Sequence, residues 1–488
     1  MNHPLVYELN TRCWLNELEA RTGEPLTLAN VPKSEFIRWR ELGLTHIWLM
    51  GVWQSGPRAR DKALHEPAQK SIYSEALPDW TQADVAGSPY AVGDYKILDC
   101  LGGEASLENF RRQLHREGMR LLLDFVPNHL GLDHVWVRQK PELFVQSEME
   151  APGFFREQTS AGPRWLAHGK DPYFPPWTDT AQLDYRLEAT HRAMLAQLQR
   201  VAQKCDGVRC DMAMLLLRDV FSKTWENFQS IGEQAECEFW RGAIRTVKWE
   251  NPDFLFLAEA YWGVEPQLQS LGFDFTYDKE LYDHLVARNV ERVRQHAIET
   301  APETLARGAH FLENHDERRI ASVMTLEEHR MAAAVVLSLP GMRLLHEGQL
   351  QGWRRKTPVQ LLRRMREEGN AQIEQMYREL LAILSRTALG QWDCRVLHPT
   401  NESGISRGEL LLIRWQQKRS EFLLVAINPD STAGRSGAKL NGLDAQNWSA
   451  KSLLTGQAIS VNPAVPVEGF RLELEPYEVE AIEFRAKA

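Results

Sequence analysis

The chain lacks several features that would place it in common protein classes. Its 488 residues contain no long apolar run, and a membrane-spanning helix would need about 18 such residues in a row. The first residues carry no basic segment followed by an apolar one, so we expect no secretory signal. Acidic residues outnumber basic ones by 66 to 57, so the basic surplus of a non-specific nucleic-acid-binding protein is missing. We therefore expect neither a nucleic acid nor a membrane as a partner.

Cysteine is also scarce. The six cysteines are scattered and form no Cys-x-x-Cys pair. In a chain of this size they are typical of reduced thiols, and they indicate neither a disulfide framework nor a zinc site. The pattern predicts a cytoplasmic location.

What the chain does have is an alternation of short apolar runs with helical patterns. Helices are predicted from a Ser106 N-cap to Gly118 and over about 187–204, 326–337 and 371–386. Strands that are apolar along their length and alternate with helices are typical of parallel strands buried on both faces, and their closed form is the (β/α)8 barrel. The predicted strands are Leu5–Leu9, His46–Met50, Arg120–Phe125, Gly207–Cys210, Phe254–Ala258, Phe273–Tyr277, Ala309–Leu312 and Met342–Leu345.

Two regions depart from this alternation. The segment 130–185 is rich in Pro, Gly, Trp and Phe and falls between the third and fourth strands, so it is predicted to be an insertion over the catalytic face. From about Gly390, apolar residues alternate with period two, which predicts an antiparallel β-sandwich. The predicted domains are a barrel of residues 1–129 and 186–389, an inserted domain of 130–185 and a C-terminal sandwich of 390–488. The oligomeric state is left open.

Polar residues follow four of the predicted strands, at the ends that face the cup of such a barrel. One aspartate after a strand is often only a helix N-cap, and one histidine is more often a hydrogen-bonding residue than a catalyst. Four strands that end this way, behind apolar runs where an unpaired carboxylate is costly, instead predict a site. The residues are Asp124, Asn128, His129, Arg209, Asp211, Glu259, Asn314, His315 and Asp316.

Paired carboxylates without the spacing of a metal site suit cleavage of a glycosidic bond. Arg209 lies two residues before Asp211, so both face one side of a strand, and the positive charge favours an ionised nucleophile. Glu259 lies behind an apolar strand, where burial favours the protonated form that a general acid needs. Histidines beside Asp316 can bind sugar hydroxyls.

Together these motifs are similar to those of a known enzyme family. The sequence resembles the alpha-amylase family of glycoside hydrolases, whose four blocks occur here in order as DFVPNH, GVRCD, AEA and ENHDE. QLDY at 182–185 matches a looser fifth block, and GSPYAVGDY matches the stretch before the third strand. The similarity covers essentially the whole chain, including the inserted domain and the sandwich. It implies a retaining enzyme that cleaves α-glucosidic bonds of maltooligosaccharides or related α-glucans through a covalent β-glycosyl-enzyme.

The resemblance also implies roles for single residues. Asp211 matches the nucleophile, Glu259 the general acid/base, and Asp316 the third carboxylate, which stabilises the transition state. Other positions match residues that bind the reacting sugar, support the nucleophile or brace this corner of the cup. They are Tyr90, Asp124, Asn128, His129, Arg209, Asn314 and His315.

Three departures from the family pattern matter. Met214 and Leu215 stand where many members carry Lys and His for the leaving-group side, which argues against classical endo-amylase behaviour. Gln182 stands where calcium-dependent members carry Asp, and the inserted domain is short. Because calcium prefers several oxygen ligands, including carboxylates, we expect no metal and no cofactor, with calcium as the disfavoured alternative.

Other functions remain open from the sequence. Hydrolysis and transglycosylation share the covalent intermediate, so a transferase or isomerase acting on a small α-glucoside of the maltose, trehalose or sucrose type is an alternative. An inactive sugar-binding homologue is a further alternative, because a fold does not guarantee a function. A metal-dependent barrel hydrolase would need clustered histidines at the first strand, and PLVYELNTR has none. A phosphorylated sugar has no specific support, because a solvated surface explains the run 354–356 equally well.

Tryptophan, finally, is abundant, with 16 residues. Its ring packs cores but also stacks on the C–H faces of sugars. Trp48 and Trp249 are predicted to pack the body of the protein. Five others follow strand ends or lie in the insertion, and we predict that they contact the substrate, so that exchange for alanine would mainly impair binding. They are Trp53, Trp136, Trp165, Trp177 and Trp262.

Overall fold

The computed structural model describes residues 3–387, 392–397, 409–418, 420–438, 448–459 and 470–486. Its centre is a closed barrel of parallel strands, in which the first strand pairs with both the second and the last. All the predicted barrel strands are present within a few residues of their expected limits, so the predicted fold class is confirmed. The strands, labelled β1 to β8, are Leu5–Asn10, His46–Met50, Arg120–Phe125, Gly207–Cys210, Leu255–Ala258, Phe275–Tyr277, Gly308–Phe311 and Met342–His346.

Helices cover the outside of the barrel. The helix before β3 begins at Gly103, after Gly102 with a left-handed φ of 89°, so the predicted Ser106 N-cap is wrong. The Ser106 hydroxyl instead donates to the Gly102 carbonyl at 2.8 Å within the first turn, a local bond that serine makes easily. The helices are Thr11–Thr22, Lys33–Glu41, Pro57–His65, Pro67–Ala76, Gly103–Arg116, Val135–Gln139, Glu188–Ala202, Arg218–Thr224, Phe239–Glu250, Glu265–Ser270, Lys279–Val286, Val290–Glu299, Pro302–Leu305, Ile320–Val323, Leu326–Ser338 and Ala371–Thr387.

Strand alternation produces two apolar layers. One set of strand residues, including Leu122 and Leu257, fills the interior of the barrel, and the other set packs against the helices. Because side chains two residues apart share a face of a strand, the inward row of β3 leads from Leu122 to Asp124. That of β5 leads from Leu257 to Glu259 in the same way. The apolar interior therefore ends in a polar cup at the carboxyl ends of the strands.

Short strands follow β2 and β3 on the side of the cup. Trp53–Ser55 pairs with Val92–Ile97 in the long connection after β2. In the connection after β3, His129–Gly131 pairs with Thr180–Gln182. The same connection holds a three-stranded antiparallel sheet of Gln146–Ser147, Phe154–Thr159 and Gly162–Ala167. The segment predicted as an insertion thus has strands of its own, while its exact limits stay a prediction.

The C-terminal part forms antiparallel sheets, as predicted. Asp393–Leu397, Leu411–Lys418, Glu421–Ile427, Val479–Ala486, Trp448–Ser452 and Ala458–Ile459 form one sheet in this order, and Gly434–Ala438 pairs with Phe470–Leu474. Leu474 packs against one face of the larger sheet. Trp415 attaches the other face to the barrel, where its Nε1–H donates to the Ser338 carbonyl at 2.8 Å. The predicted domain boundary at 389/390 lies outside the described residues.

The six cysteines all fall within the described ranges, and their thiols are free. Cys13, Cys205 and Cys210 are buried, and Cys210 packs outside the barrel strands, as its place in the alternation indicates. A cytoplasmic location stays a prediction. In the part of the chain that the structure describes, no helix has both the length and the apolar character needed to cross a lipid bilayer.

Two tryptophans test the prediction of core packing. Trp48 is fully buried inside the barrel, as predicted. Trp249 is 88% exposed, so its predicted packing is wrong. Its helix, Phe239–Glu250, buries Trp240, Ile244 and Val247 along one stripe. Trp249 lies outside that stripe because the helical repeat of 3.6 residues turns it toward solvent.

Candidate active site

The barrel brings the sequence-predicted residues together in one cup. Arg209 on β4 pairs in register with Asp124 on β3 and with Leu257 on β5. The residues that end these strands therefore stand at one level. Asp211 and Glu259 continue the inward rows of β4 and β5 and are buried.

Arg209 is the centre of the cup and is fully buried. Its Nη1–H donates to Oδ1 of Asp211 at 2.7 Å, and its Nη2 lies 2.9 Å from Oε2 of Glu259. Its Nε–H donates to the Tyr277 hydroxyl at 3.2 Å. Tyr277 ends β6 on the inward face and was not singled out from the sequence. One guanidinium therefore binds both carboxylates of the predicted catalytic pair.

Opposing effects act on the pKa of Asp211. The sequence predicts that Arg209 keeps Asp211 ionised. Burial and the charge of Glu259 instead raise the pKa of Asp211 to about 7, against the opposing effect of Arg209. Arg209 lowers this pKa, as the sequence predicts, but it also pairs with Glu259, so the ionised state of Asp211 stays a prediction.

Glu259 is held by hydrogen bonds at both oxygens. The backbone N–H of Met212 donates to Oε2 at 2.6 Å, and the Tyr261 hydroxyl donates to Oε1 at 2.6 Å. Met212 adopts a left-handed φ of 44°, which is uncommon for a residue with a side chain. Such strain costs on the order of 1–3 kcal/mol and concentrates at functional sites. This backbone conformation points the N–H of Met212, the residue after Asp211, at the carboxylate of Glu259.

A second cluster of polar residues in the cup surrounds His315. Its Nδ1–H donates to Oε1 of Glu8 at 2.5 Å, while its Nε2 lies 3.0 Å from Oδ2 of Asp316. The Tyr90 hydroxyl is 2.7 Å from the same Nε2, and the Tyr90 ring stacks on His315 at 5.2 Å. Burial opposes protonation of His315, but Asp316 and Glu8 together raise its pKa to about 10. His315 is therefore an imidazolium between two carboxylates, and its charge holds the pKa of Asp316 below the ordinary range.

Glu8 is the residue of this group that the sequence prediction missed. It is fully buried in β1, which is buried along its whole length. The signal was present, since an acid inside the run LVYELN must be paired or functional. It lies two residues after Val6, which faces the barrel interior. That alternation could have placed Glu8 in the cup.

Two hydrogen-bond donors hold Asp124 at the end of β3. Its carboxylate accepts the Trp48 Nε1–H at 3.1 Å and the Gly51 N–H at 2.9 Å. Gly51 has a left-handed φ of 81°, and its position suits glycine because a side chain there would also crowd Pro89. Burial raises the pKa of Asp124 to about 6.

Asn128 and His129 lie beside the inserted segment. The Asn128 amide donates to Oε1 of Gln182 at 3.2 Å, and the Gln182 amide donates back to Oδ1 of Asn128 at 3.0 Å. Burial lowers the pKa of His129 to about 4, and its ring lies 5.0 Å from that of Trp177. His129 is thus a neutral ring at this corner.

These residues do not fit the structural calcium that the resemblance drawn from the sequence raised as an alternative. The side-chain oxygens of Asn128 and Gln182 are taken up by each other's amides. The nearby carboxylate of Asp184 is paired with Arg186 at 2.8 Å. Across the described ranges, no group of three or more His, Cys, Asp or Glu residues could hold a metal ion.

Asn314 shapes the loop that carries the third carboxylate. Its Oδ1 accepts the backbone N–H groups of Asp316 at 2.9 Å and Glu317 at 3.0 Å. The Asp316 side chain is 49% exposed, so it opens to the cup. The Lys356 ammonium donates to the Asp316 carbonyl. The run 354–356, interpreted as solvated surface, is exposed but touches the cup through this lysine.

The five tryptophans predicted to contact substrate divide into two groups. Trp53 and Trp136 are 1% and 8% exposed, too enclosed to stack on a sugar, so the prediction is wrong for them. Trp165 and Trp177 are half-buried, and Trp262 is 42% exposed, so for these three substrate contact stays a prediction. Trp262 stands three residues after Glu259, and its ring lies 5.1 Å from that of the exposed Tyr173. Together these two exposed rings form an aromatic surface.

Comparison with known proteins agrees with this geometry. The family model described as the alpha amylase catalytic domain matches residues 35–396. The alpha-amylase MalA of Haloarcula japonica is 27% identical over 283 residues, which are 56% of this chain and 38% of that protein. The chain thus spans well under half the length of this relative.

Solved structures resemble the whole fold. A noncanonic maltogenic alpha-amylase, AmyB from Thermotoga neapolitana, aligns over 99% of both chains with a TM-score of 0.68 and 18% identity. An alpha-amylase from Geobacillus thermoleovorans, complexed with acarbose, aligns over 99% of both chains with a TM-score of 0.69 and 17% identity. At such identities the likeness establishes the fold alone.

Proposed function

Because the chain belongs to the alpha-amylase family of glycoside hydrolases, we propose that it cleaves α-glucosidic bonds of maltooligosaccharides or related α-glucans with retention of configuration. In this proposal Asp211 attacks the anomeric carbon and forms a β-glycosyl-enzyme. Glu259 protonates the leaving oxygen and then activates the water that releases the sugar. Asp316 and His315 bind hydroxyls of the distorted sugar.

The contact of both carboxylates with one guanidinium carries this proposal. Asp211 and Glu259 lie 2.7 and 2.9 Å from the two terminal nitrogens of Arg209. Retaining glycosidases hold their carboxyl groups roughly 5–5.5 Å apart, whereas inverting enzymes leave roughly 6.5–9.5 Å for a water molecule. Two groups bound to adjacent nitrogens of one guanidinium favour the shorter, retaining separation.

Transfer to a sugar acceptor is a second candidate. Met214 and Leu215 are buried and apolar where relatives place charged or polar side chains. The rings of Tyr173 and Trp262 are exposed and lie 5.1 Å apart, and Trp262 follows Glu259 by three residues, so we propose that they contact the acceptor sugar. Stacking, more than hydrogen bonding, would then hold an acceptor sugar, which could compete with water for the intermediate.

Product analysis with proton NMR tests the proposed function. We expect maltotriose, incubated with the purified protein, to yield the α-anomer first, because two inversions at one carbon restore the configuration. Chromatography of the same mixture, with maltose, trehalose and sucrose as parallel substrates, separates hydrolysis from transfer. A β-anomer as the first product would contradict retention, and no cleavage of any α-glucoside would contradict the function.

Exchange of Glu8 for glutamine should change the pH profile. The pKa of His315 is about 10, so the ring is charged below that pH and loses its charge as the pH rises through it. Without the charge of Glu8 this loss comes at lower pH. We therefore expect the alkaline limb of kcat/KM to move to lower pH. We also expect kcat/KM at pH 7 to fall roughly 10- to 100-fold, as for loss of one hydrogen bond between charged groups, about 1.5–3 kcal/mol.

Glu8→Asp is the matched control, because it keeps the charge and shortens the side chain. Its alkaline limb should stay near that of the parent even if kcat/KM falls. A correctly folded Glu8→Gln protein with the parent's pH profile would show that Glu8 does not act through His315.

A further inference from the structure

A strap of chain follows β8 and reaches the cup. It is the segment 353–370, which forms no helix and takes part in only one isolated β-bridge. Two buried arginines fix it to the barrel. Arg12 donates to the Val359 carbonyl at 2.5 Å, and Arg364 binds the carboxylate of Glu347. The strap therefore holds its exposed side chains in place beside the site.

The strap contacts the loop after β7 at two points. The Lys356 ammonium donates to the Asp316 carbonyl, and the Arg319 Nε–H donates to the Arg355 carbonyl at 3.4 Å. The two segments thus lie side by side where the third carboxylate opens to the cup. Together they carry four exposed cationic side chains, which we call the basic rim. The basic rim consists of Arg318, Arg354, Arg355 and Lys356.

The basic rim lacks carboxylate partners. None of its four side chains forms an ion pair with a carboxylate among the residues that the structure describes. Glu367 lies against the strap, but its oxygens accept the backbone N–H groups of Arg354 at 2.9 Å and Arg355 at 3.0 Å. The Arg355 guanidinium donates to a backbone carbonyl, that of Glu75, at 3.2 Å. The positive charges of the rim are therefore left for a ligand.

This positive charge is local. The whole chain is acidic, with 66 acidic and 57 basic residues. The Asp316 carboxylate does not offset the rim, because it is paired with the charged ring of His315 at 3.0 Å. One exposed arginine is ordinary on a surface, but several neighbouring cations repel one another. A cleft lined by charges of one sign also concentrates ligands of the opposite sign. The basic rim thus favours a substrate that carries negative charge.

The donors of the rim indicate which anion fits. Lysine has three N–H donors and arginine five. Lys356 uses one donor on the Asp316 carbonyl and keeps two. A carboxylate has two oxygens, which a single arginine can satisfy. A phosphate monoester carries nearly two charges and three acceptor oxygens, so it can bind several of these side chains at once.

We propose that the basic rim binds a phosphate group of the substrate, and that the protein acts on α-glucosides whose non-reducing glucose is phosphorylated. This inference rests on the proposed function. There Asp316 binds the sugar that becomes attached to Asp211, and Lys356 contacts Asp316. A phosphate bound at the rim therefore belongs to that same sugar.

Paired substrates test the proposal. Trehalose 6-phosphate differs from trehalose, and maltose 6′-phosphate from maltose, only by the phosphate group. We expect kcat/KM to be at least about tenfold higher for a phosphorylated member, as for one added hydrogen bond between charged groups. This ratio should shrink when salt is raised from about 0.05 to about 0.5 M, because salt screens exposed charges. A ratio near or below one for both pairs, in a protein that cleaves maltotriose, would overturn the proposal and leave the proposed function intact.

Substitutions in the rim test its residues. Exchange of Arg354 and Lys356 together for glutamine should lower the ratio at least about tenfold, as expected for loss of one charged hydrogen bond. The loss should come mainly through KM, because the phosphate lies away from the reacting atoms. Arg116→Gln is the matched control. Arg116 is exposed and ends the helix before β3, at the opposite end of the barrel from the cup. A double variant with the ratio of the Arg116→Gln protein would contradict the proposal.

Binding separates this proposal from the proposed function. Glucose 6-phosphate and glucose are titrated by calorimetry into the Asp211→Asn protein, which prevents turnover of any glucoside. We expect the phosphorylated sugar to bind at least about tenfold more tightly. Such binding in a protein that cleaves no α-glucoside would support the basic rim and overturn the function of the cup. Glucose 6-phosphate that binds no more tightly than glucose would overturn the phosphate site.

Discussion

Replacement of Asp211 by asparagine is expected to lower kcat by about 10⁴-fold or more on every substrate, as loss of a nucleophile does in other enzymes. Asparagine has the shape of aspartate but cannot form the covalent glycosyl intermediate. Its amide can still contact Arg209, which keeps Glu259 as a counter-charge at 2.9 Å. The thermal unfolding midpoint should therefore stay close to that of the parent. Single-turnover kinetics and a thermal melt measure the two quantities.

Asp206, which directly precedes β4, offers a matched control. It stands at the opposite end of β4, where its carboxylate binds Arg111 at 2.7 Å, His115 at 2.8 Å and the Leu121 N–H at 2.8 Å. In an α/β barrel this end supports stability and the other end chemistry. Asp206→Asn should lower the unfolding midpoint and leave kcat nearly unchanged. A fully active Asp211→Asn protein would refute the assignment of the nucleophile.

Replacement of Glu259 by glutamine should separate substrates by their leaving groups. Glutamine cannot donate a proton to the leaving oxygen, and general acid catalysis typically contributes about 10²–10⁴-fold. We expect a loss of that size on maltotriose, whose leaving group is a sugar hydroxyl. An aryl α-glucoside, whose phenolate leaves without protonation, should lose much less. The ratio of kcat/KM values for the two substrates reports the role of Glu259.

Glu250 is the control for this test. It ends the helix that precedes β5 and is exposed at the far end from the cup. Glu250→Gln should change neither substrate's kinetics. Equal losses on both substrates in Glu259→Gln would mean that Glu259 positions other groups and does not donate the proton.

Local pattern was sufficient for the barrel and for the cup residues that follow β3, β4, β5 and β7, whereas Glu8 and Tyr277 were missed. β3 and β4 begin and end at the predicted residues, since each is a short run in which apolar residues predominate between a helix and a loop. Asp124, Arg209 and Glu259 could be placed in one cup because parallel strands deliver their carboxyl ends to one rim. Alternation then decided which side chains face inward.

Other properties of the cup depend on residues that are distant in sequence but close in space, and these could not be predicted. Arg209 contacts both Asp211 and Glu259, and burial together with the charge of Glu259 raises the pKa of Asp211. Both effects depend on distances between different strands. Trp53 follows a strand end, as a substrate-binding ring would, but its Nε1–H bonds the Asp124 carbonyl and its ring is buried. No periodicity in the sequence separates these outcomes.

The contact between Glu8 and His315 has a consequence for how the protein acquires its activity. The two residues are 307 positions apart in the chain, and β1 must pair with β8 before the ring closes. Contacts between such distant segments form slowly, because closing a long loop costs chain entropy. The Glu8–His315 contact cannot form until residue 315 has been synthesised. A nascent chain that ends before this residue therefore lacks the charged pair of the cup, however well its earlier strands have paired.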